Sequence, residues 1–405
     1  MKKADIIICG GGMVGLPLGL AAAQGGLRVA VIDTMAPSQT LDARFDGRVS
    51  ALAYASVRML TALGVWPHLA KHAQPITEIL VTDGKADGPA SPFSLHFDAA
   101  EVGAASLGHI AENRHIRAAL YAALPPGLEL IAPATVTKLE TGAGHVIAHL
   151  SNGEQIEAAL AIAADGRDSK LRGQQGIGTI GWSYPQTGIV ATVAHERPHN
   201  GVAYEHFLPA GPFAILPMTE NRSSLVWTER ADKAPAMLAL DEAGFNAEVA
   251  RRFGGHLGKT QIVGGRWSYP LSFHLARDFV KPRFALAGDC AHGIHPIAGQ
   301  GLNLGLKDAA ALAETLLDAA RLGRDLGALD TLKRYERWRR FDSVALAAST
   351  DAMNRLFSND IAPLRHLRDL GLGLADAIGP ARRFFMRHAG GDIGKLPRLL
   401  KGEAA

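Results

Sequence analysis

Cysteine is scarce in this sequence: Cys9 and Cys290 are its only two cysteines, and no C-x-x-C pair occurs. This argues against a zinc ribbon and a disulfide framework, and it fits the reducing cytosol. Long apolar runs are missing too, since none approaches the roughly 18 residues that a membrane helix needs. The N-terminal MKKADIIICGGG is unlike a signal peptide, because Asp5 interrupts a short apolar run and glycines follow. We therefore expect a cytoplasmic protein, either soluble or peripheral at the inner membrane.

A large excess of charge of either sign is also missing. The formal net charge is +3, which argues against a nucleic-acid-binding protein with a clustered basic face. The 405 residues are enough for two or three domains, at roughly 100–200 residues each. Glycine, by contrast, is abundant at 45 residues, which indicates tight turns and close approach of the backbone to a ligand.

The first glycine cluster stands in the context of a dinucleotide-binding unit. ADIIIC (residues 4–9) has the pattern of a buried strand, GGGMVG (residues 10–15) satisfies GxGxxG, and an apolar helix pattern follows. Asp33 ends the next buried strand, RVAVID. Gly10 permits the tight turn, Gly12 lets a pyrophosphate approach the helix N-terminus, and Asp33 is placed to bind a ribose 2′-hydroxyl. An acidic residue at that position favours FAD or NAD over NADP.

The rest of the chain mixes helix and strand patterns. We predict helices over residues 50–64 and 113–124, turn-rich sequence with weak alternation over 72–108, and antiparallel strands from about 180 to 270. Another buried strand, RFALAGD (283–289), leads into a long helix. The predicted fold class is α/β: a Rossmann-like domain with a parallel sheet, an inserted antiparallel β-sheet domain and a helical C-terminal tail.

The predicted domains follow from the order of these patterns. The dinucleotide-binding domain is discontinuous and comprises residues 1–72, 101–178 and 275–330. The antiparallel substrate domain comprises residues 73–100 and 179–274, and the helical C-terminal region comprises residues 331–405. The tail carries the basic clusters KRYERWRR and ARRFFMRH, which fit either solvated helix faces or contact with a membrane surface or a partner.

The segment AGDCAHGIHPIAGQGLNLG (residues 287–305) contains four residues of metal-ligating types, Asp289, Cys290, His292 and His295. Gly293 and Pro296 disfavour a continuous helix that could bring these side chains together, so we expect no metal site. A zinc hydrolase stays an alternative interpretation, and it predicts metal and no yellow colour in the purified protein.

Three motifs together resemble those of a known family. GGGMVG, DGRDSKLR (residues 165–172) and AGDCAHGIHPIAGQGLNLG are similar to the three fingerprints of the FAD-dependent aromatic hydroxylases of the para-hydroxybenzoate hydroxylase type. Residues 45–66, 111–120, 207–218 and 295–308 resemble its ubiquinone-biosynthesis subgroup more narrowly. Cys290 replaces the alanine that is usual in the family, and as a small apolar side chain it is expected to fill the same space.

The resemblance implies FAD as the bound cofactor and NAD(P)H as the electron donor. Together with the glycine motif it indicates these FAD-binding residues: Gly10, Gly12, Gly15, Asp33, Arg48, Asn113, Arg117, Asp165, Asp289, Pro296, Gly299, Gln300, Gly301, Leu302 and Asn303. Asp289 would accept hydrogen bonds from the ribityl chain. Arg48 would reach the pyrophosphate or ribityl side. The backbone from Gly299 to Asn303 would lie beside the pyrimidine end of the flavin, because N–H groups at a helix N-terminus suit its negatively charged edge.

The resemblance also implies the activity. NAD(P)H reduces the FAD, O₂ gives a flavin C4a-hydroperoxide, and one oxygen atom is transferred to an electron-rich ring, while the protein positions that ring and excludes water. The expected substrate is a polyprenylated phenol of ubiquinone biosynthesis. Other proteins of that pathway, and a membrane surface contacted by the C-terminal helices, are expected partners. A hydroxylase of a small soluble phenol and a flavin-carrying scaffold subunit are the alternatives.

Two sets of residues are candidates for contact with the ring. His295 is the candidate catalytic base, although a histidine that only holds its loop fits equally well. Tyr204, Phe207, Pro212 and Phe213 are candidates for an apolar substrate wall, and the alternative is that they are core residues of their strands.

Overall fold

The structure is a computed structural model that describes residues 1–42, 44, 46–84, 94–359, 368, 379, 386, 390–391 and 394–405. In this part of the chain the strands are β1 (Lys2–Lys3), β2 (Ile6–Cys9), β3 (Val29–Ile32), β4 (Val49–Ala53), β5 (Ala73–Ile76), β6 (Glu78–Asp83), β7 (Ser94–Asp98), β8 (Gly108–Glu112), β9 (Leu128–Ile131), β10 (Val136–Thr141), β11 (Val146–Leu150), β12 (Gln155–Ala158), β13 (Leu160–Ala163), β14 (Thr179–His195), β15 (Val202–Leu208), β16 (Gly211–Met218), β17 (Arg222–Arg230), β18 (Thr260–Ala276), β19 (Val280–Lys281), β20 (Phe284–Leu286) and β21 (His292–Gly293).

The α-helices of the same described residues are numbered in chain order. They are α1 (Gly15–Gln24), α2 (Pro37–Thr40), α3 (Tyr54–Ala62), α4 (Trp66–Leu69), α5 (Asn113–Ala122), α6 (Lys170–Gln174), α7 (Ala234–Leu238), α8 (Glu242–Phe253), α9 (Gly301–Arg321), α10 (Leu329–Phe357) and α11 (Arg398–Lys401).

The predicted parallel sheet is confirmed. Its strand order is β19-β20-β13-β2-β3-β9, and all neighbours run parallel except the edge strand β19. Every residue of β2, β3 and β13 is buried, as expected for a sheet covered on both faces. Helices α1 and α9 pack on each other beside this sheet. The glycine motif therefore lies at the carboxyl end of β2, where open α/β sheets bind ligands.

The predicted antiparallel insert is a sheet of eight strands in the order β21-β18-β14-β17-β16-β15-β6-β7. β15 and β16 lie in the region that the sequence predicts as antiparallel strands, and they pair antiparallel. One pair differs from the prediction, since β6 runs parallel to β15. One face of the sheet packs on α8 through a cluster that includes Phe213, Trp227 and Phe245. The opposite face of the sheet borders the cavity of the candidate active site.

The helix predicted over residues 50–64 is partly wrong. Residues 49–53 form β4, which pairs antiparallel with β8 from Val49 to Ala53, and the helix α3 begins only at Tyr54. Local sequence favours helix here, but ladder hydrogen bonds to a distant strand decide the conformation of the first residues.

The C-terminal region is helical as far as the structure describes it. α10 contains the basic cluster KRYERWRR, of which Arg339 is completely buried. The second basic cluster, residues 381–388, lies outside the described residues except for Met386. In the described part of the chain, no helix has the length and apolar character needed to cross a bilayer.

We propose the domain division that the sequence indicates, with boundaries at residues 72, 100, 178, 274 and 330. Two features of the sheets support it. The long strands β14 and β18, which span Thr179–His195 and Thr260–Ala276, begin and end within two residues of two of these boundaries. The strand β6 joins the inserted sheet although it precedes that sheet by about a hundred residues of chain.

Candidate active site

The glycine turn between β2 and α1 is shaped by two close backbone contacts and one open face. A Cβ on Gly10 would lie 2.3 Å from the carbonyl oxygen of Ala164, and Gly10 has φ +114°. A Cβ on Gly15 would lie 1.9 Å from the Gly10 carbonyl oxygen. A Cβ on Gly12 would meet nothing within 4 Å. Gly10 and Gly15 thus serve the turn itself, while the open face of Gly12 is available to a ligand.

Asp33 lies beside this turn. Its carboxylate accepts hydrogen bonds from the N–H groups of Gly11 (2.6 Å) and Met35 (2.7 Å). Each carboxylate oxygen keeps a second acceptor site, so the group is oriented by the backbone and can still accept from a ribose hydroxyl.

A second turn, at Gly288–Cys290, faces the first. Gly288 has φ +67°, and a Cβ there would lie 3.2 Å from the side chain of Val14. The Gly288 N–H donates to the buried carboxylate of Asp308 (2.9 Å). The side chain of Asp289 remains exposed and lines the cavity described below. This position suits its predicted contact with the cofactor.

Asp308 is the centre of a buried ionic network that holds this turn. Its carboxylate bonds Nε2 of His292 (2.6 Å) and Nε of Arg339 (2.8 Å), and all three side chains are at most 2% exposed. Burial alone would raise the pKa of Asp308, but its pairs with His292 and Arg339 lower that pKa below the ordinary value. No sequence motif indicates that α10 supplies a cation to the glycine-rich turn, because the two segments meet only in the folded chain.

The segment Pro296–Asn303 leads into α9 with the geometry expected of a flavin-cradling loop. Gly299 has φ +61°, and α9 begins at Gly301 without a side-chain cap on its N-terminal N–H groups. The Asn303 side chain accepts from the N–H of Ala53 (2.8 Å) and donates to the carbonyl of Ala51 (2.9 Å). That side chain ties the loop to β4, so only the Asn303 backbone is left for the cofactor.

Arg48, Asn113 and Arg117 lie close to one another in the folded chain. Arg48 and Arg117 both pair with Asp46, at 2.6 and 3.2 Å. Asn113 donates its backbone N–H to the Arg48 carbonyl (2.9 Å) and accepts a hydrogen bond from Ser50 (2.7 Å). The structure therefore groups these three predicted residues, while their contact with the cofactor stays a prediction.

The Asp-Gly motif lies against the Gly-Asp motif. Asp165 follows β13 and accepts a hydrogen bond from the Cys290 thiol (3.1 Å). Burial raises the pKa of that thiol well above its ordinary value, so Cys290 is a neutral donor and a small packing residue. Arg167 lines the cavity and donates to the Ser272 carbonyl (3.3 Å).

A cavity of about 900 Å³ connects the flavin loop with the inserted sheet. One end is formed by Asp289, by Pro296 and by β4, and the other end is formed by α10 with Phe357 and Met386. Most of its lining is apolar. Its size is at the upper end of the range of small-molecule sites.

Three of the four predicted substrate-wall residues line this cavity. Phe207 and Pro212 are paired across β15 and β16 and belong to the wall. Tyr204 also borders the cavity, but its ring packs against that of His256, 4.6 Å away between centroids. Phe213 does not line the cavity, because successive side chains of a strand point to opposite faces. Its ring packs 6.3 Å from that of Trp227 in the core beneath the sheet.

His295 does not reach the cavity. It is completely buried, its Nδ1 accepts from the Ile297 N–H (3.4 Å), and its ring meets the edge of Tyr184 at 5.1 Å. Burial lowers the pKa of His295 to about 4, so the ring is neutral at physiological pH. These contacts favour the loop-holding alternative, and we do not propose His295 as the catalytic base.

Glu205 is the functional candidate that the sequence motifs do not indicate. It lies on β15 between Tyr204 and His206, lines the cavity, and has a pKa raised by burial to about 7. The signal in the sequence is a single acidic residue that shares strand parity with Ala203 and Phe207. This signal can be interpreted only when the strand register shows which alternate residues of β15 face the cavity.

The alternation along β16 leads to a paired prediction. Phe213→Ala is expected to lower the free energy of unfolding by about 3–5 kcal/mol, because it empties core volume, and to leave the Kd of a bound phenol unchanged. Ala214→Leu adds atoms to the cavity and is expected to weaken phenol binding at least about tenfold with little change in stability. Chemical denaturation and binding titrations measure the two effects, and the reverse pattern would contradict the assigned faces.

Known proteins share the sequence pattern of this site. Residues 3–346 match the family model described as FAD binding domain. The chain belongs to this family. It is 50% identical to the ubiquinone hydroxylase UbiL of Rhodospirillum rubrum over 407 residues, covering 99% of this chain and 93% of that protein. It is 36% identical to the 3-demethoxyubiquinol 3-hydroxylase of Escherichia coli, covering 96% and 98%.

The family likeness extends to solved structures. The p-nitrophenol 4-monooxygenase PnpA of Pseudomonas putida superposes with a TM-score of 0.80 at 19% identity, covering 98% of this chain and 100% of that one; this likeness shows the shared fold. Within its family the chain groups with the ubiquinone-biosynthesis hydroxylases, as the sequence motifs predict. It is an FAD-dependent monooxygenase.

The residues present fit FAD. The open face of Gly12 leaves room for a pyrophosphate, and in the described part of the chain the N-cap residues of α1 and α9 form no side-chain cap hydrogen bond. Two uncapped helix N-termini therefore point into the site, one suited to phosphate and one to the negative edge of a reduced flavin. When bound, FAD supplies the activation of O₂ from which an oxygen atom reaches the substrate.

Proposed function

We propose that the protein hydroxylates the aromatic ring of a polyprenylated phenol in ubiquinone biosynthesis, using FAD, O₂ and electrons from NAD(P)H. The observation that carries the proposal is the apolar cavity of about 900 Å³ that begins at the flavin loop. A phenol ring at the flavin end would leave the far, apolar end to an isoprenoid tail. Two relatives named for ubiquinone or demethoxyubiquinol hydroxylation support this substrate class.

Different segments of the chain would bind the cofactor, contact the flavin edge and position the substrate ring. The turns at Gly10–Gly15 and Gly288–Cys290 would bind the cofactor's phosphate and ribityl parts, with Asp33 and Asp289 as acceptors for its hydroxyls. The loop before α9 would hold the flavin edge through backbone N–H groups. Phe207 and Pro212 would exclude water from the ring and position it, which strengthens every electrostatic interaction in the site.

Purified protein provides the test. We expect yellow protein with bound FAD, NAD(P)H oxidation that a prenylated phenol stimulates, and a product that carries one additional oxygen atom. Bound FAD without stimulated oxidation or an oxygenated product would instead support the flavin-carrying scaffold.

The length of the substrate separates the two hydroxylase hypotheses. A protein specific for a polyprenylated phenol should have a lower KM for phenols with an isoprenoid tail, because each buried CH₂ adds about 0.8 kcal/mol of binding free energy. A KM that does not depend on the tail would favour the small soluble phenol. Deletion of the gene provides the second measurement, since an unchanged ubiquinone pool contradicts a role in that pathway.

We also propose a cytoplasmic protein that contacts the inner membrane, or other proteins of the pathway, through its C-terminal helices. Two exposed apolar side chains of α10 support such a contact, Phe341 at 77% and Val344 at 43% exposure. Sedimentation with anionic vesicles measures it, and Phe341→Ser is the variant that should reduce it.

A further inference from the structure

Glu205 is a carboxylic acid in an otherwise mainly apolar part of the cavity. It shares the cavity face of β15 with Ala203 and Phe207, and it is paired across the sheet with Ala214 and with Val81. All four neighbours are apolar. Burying an ionisable group against such neighbours is unfavourable unless something else supplies a partner.

The other charged and titratable groups around the cavity are engaged elsewhere or lie at its flavin end. Arg368 pairs with the carboxylate of Asp83 (2.9 Å), and Arg167 donates to the Ser272 carbonyl (3.3 Å). Asp289 belongs to the Gly288–Cys290 turn at the flavin end.

The elements packed around Glu205 supply no partner either. His206, the next residue of β15, bonds Thr82 through Nδ1 (2.7 Å) on the other face. Tyr269 of β18 has a hydroxyl whose pKa is raised by burial. The residues of α10 that line the cavity are Ser349, Thr350 and several apolar residues, none of which is charged. Among the described residues, none forms a hydrogen bond or an ion pair with Glu205, so its carboxyl group is available to a ligand in the cavity.

Glu205 lies midway along the cavity. Ala203, two residues before it, packs in a cluster with Val49 and Ala51 of β4, the strand that Asn303 ties to the flavin loop. Phe207, two residues after it, stacks on Phe357 at the far end, with ring centroids 4.3 Å apart. Two residues of a strand span about 7 Å, which is close to the length of one phenol ring. A ring that lies beside the middle of β15 would therefore have its substituents within reach of Glu205.

We propose that Glu205 is a catalytic residue that binds a ring hydroxyl of the substrate and accepts its proton. The inference rests on the proposed function and names the base of that same site. The O–H bond of the phenol breaks, the proton goes to a carboxylate oxygen of Glu205, and the electron pair stays on the phenol oxygen. The phenolate is richer in electrons at its ortho and para carbons, which favours transfer of oxygen to them. No additional oxidant or reductant takes part.

The acidity of Glu205 suits this task. Because burial raises its pKa to about 7, the carboxylate form is present above that pH and is lost as the pH falls through it. A general base works best when its pKa lies near the operating pH. The rate of oxygen transfer should therefore rise with pH through about 7.

The first measurement is product formation by the FAD-loaded enzyme with a prenylated phenol, over a range of pH. Glu205→Gln is expected to keep its FAD and its thermal stability, to lose about a hundredfold in the rate of product formation, and to lose the rise near neutral pH. Glu205→Asp should recover part of the rate and the pH dependence. His206→Gln, whose side chain lies on the other face of the same strand, is the matched control and should behave like the wild type. An unchanged rate and pH profile in Glu205→Gln would overturn the proposal while leaving the proposed function intact.

The second measurement is independent of turnover. A nitrophenol, whose anion absorbs visible light, is titrated into the FAD-loaded protein, and its ionisation when bound is read from difference spectra. We expect the bound nitrophenol to be ionised in the wild type and neutral in Glu205→Gln at the same pH. If this dependence is found but no phenol is oxygenated, the proposed function fails and the role of Glu205 stands. If the ionisation is the same in both proteins, the role of Glu205 is refuted.

Discussion

Gly12→Val is expected to abolish FAD binding while leaving the protein folded. Gly12 has open space where a Cβ would be, so the Cβ of the new side chain meets no protein atom. The same space is the approach to the N–H groups at the start of α1, and a branched side chain there keeps a pyrophosphate from the backbone. We expect a loss of FAD affinity of at least about a hundredfold, or about 2.7 kcal/mol, measured by fluorescence titration of the apoprotein.

The control separates lost binding from lost folding. Gly127→Ala changes another glycine that has open space around it, far from the motif, and should keep wild-type affinity and stability. Gly15→Ala should instead destabilise the apoprotein itself, because its Cβ would lie 1.9 Å from the Gly10 carbonyl oxygen. Gly12→Val protein with undiminished FAD affinity would contradict the assignment of this face to the pyrophosphate.

Arg339→Met is expected to destabilise the protein strongly. Arg339 and Asp308 are both completely buried, with Nε and the carboxylate 2.8 Å apart. Removal of Arg339 leaves the buried Asp308 carboxylate with only His292 and the Gly288 N–H as partners among the described residues, and breaking a buried ion pair in this way typically costs about 3–5 kcal/mol. Since Asp308 also holds the Gly288 N–H (2.9 Å), FAD affinity should fall together with stability. Urea denaturation and FAD titration measure the two effects.

Arg355→Met is the matched control on the same helix. Arg355 pairs with Asp351 at 2.8 Å, but its side chain is 66% exposed, and exposed ion pairs contribute little to stability. Its replacement should leave both the urea midpoint and the FAD affinity close to wild type. Equal effects of the two substitutions would show that burial of the Arg339–Asp308 pair does not increase its contribution to stability or to FAD affinity.

The flavin half of the site can be predicted because its determinants are local. Gly10, Gly12 and Gly15 are read within six residues, and Asp33 follows at the end of the next strand. The glycines meet requirements of backbone geometry that no other residue type satisfies as well, and Asp33 supplies an acceptor at the position that the motif requires. The Gly-Asp turn and the loop before α9 are recognisable in the same way; Asp289 and Gly299 both line the cavity, and their contact with the cofactor stays a prediction.

The substrate half cannot be predicted to the same depth. The strand β16 is apolar on both of its faces, so the sequence does not show which face is turned to the site. For this reason the pattern places Phe213 among the wall residues, although its ring packs in the core. Glu205 is inconspicuous because an acidic residue in a strand is usually solvated. His295 is prominent because its place in the motif is visible in the sequence, whereas its complete burial is not.

The sequence by itself determined an α/β dinucleotide-binding fold, since close backbone turns and buried parallel strands are specified by short segments, and the resemblance of its motifs to those of the aromatic hydroxylases indicated the flavin and the activity. Only the tertiary structure decided how the site is completed. It placed Arg339 of α10 under the Gly-Asp turn, tied Asn303 to β4, and turned Glu205 inward. These contacts join residues that are distant in the chain, and strand register and helix packing, which depend on the whole fold, set which side chains meet.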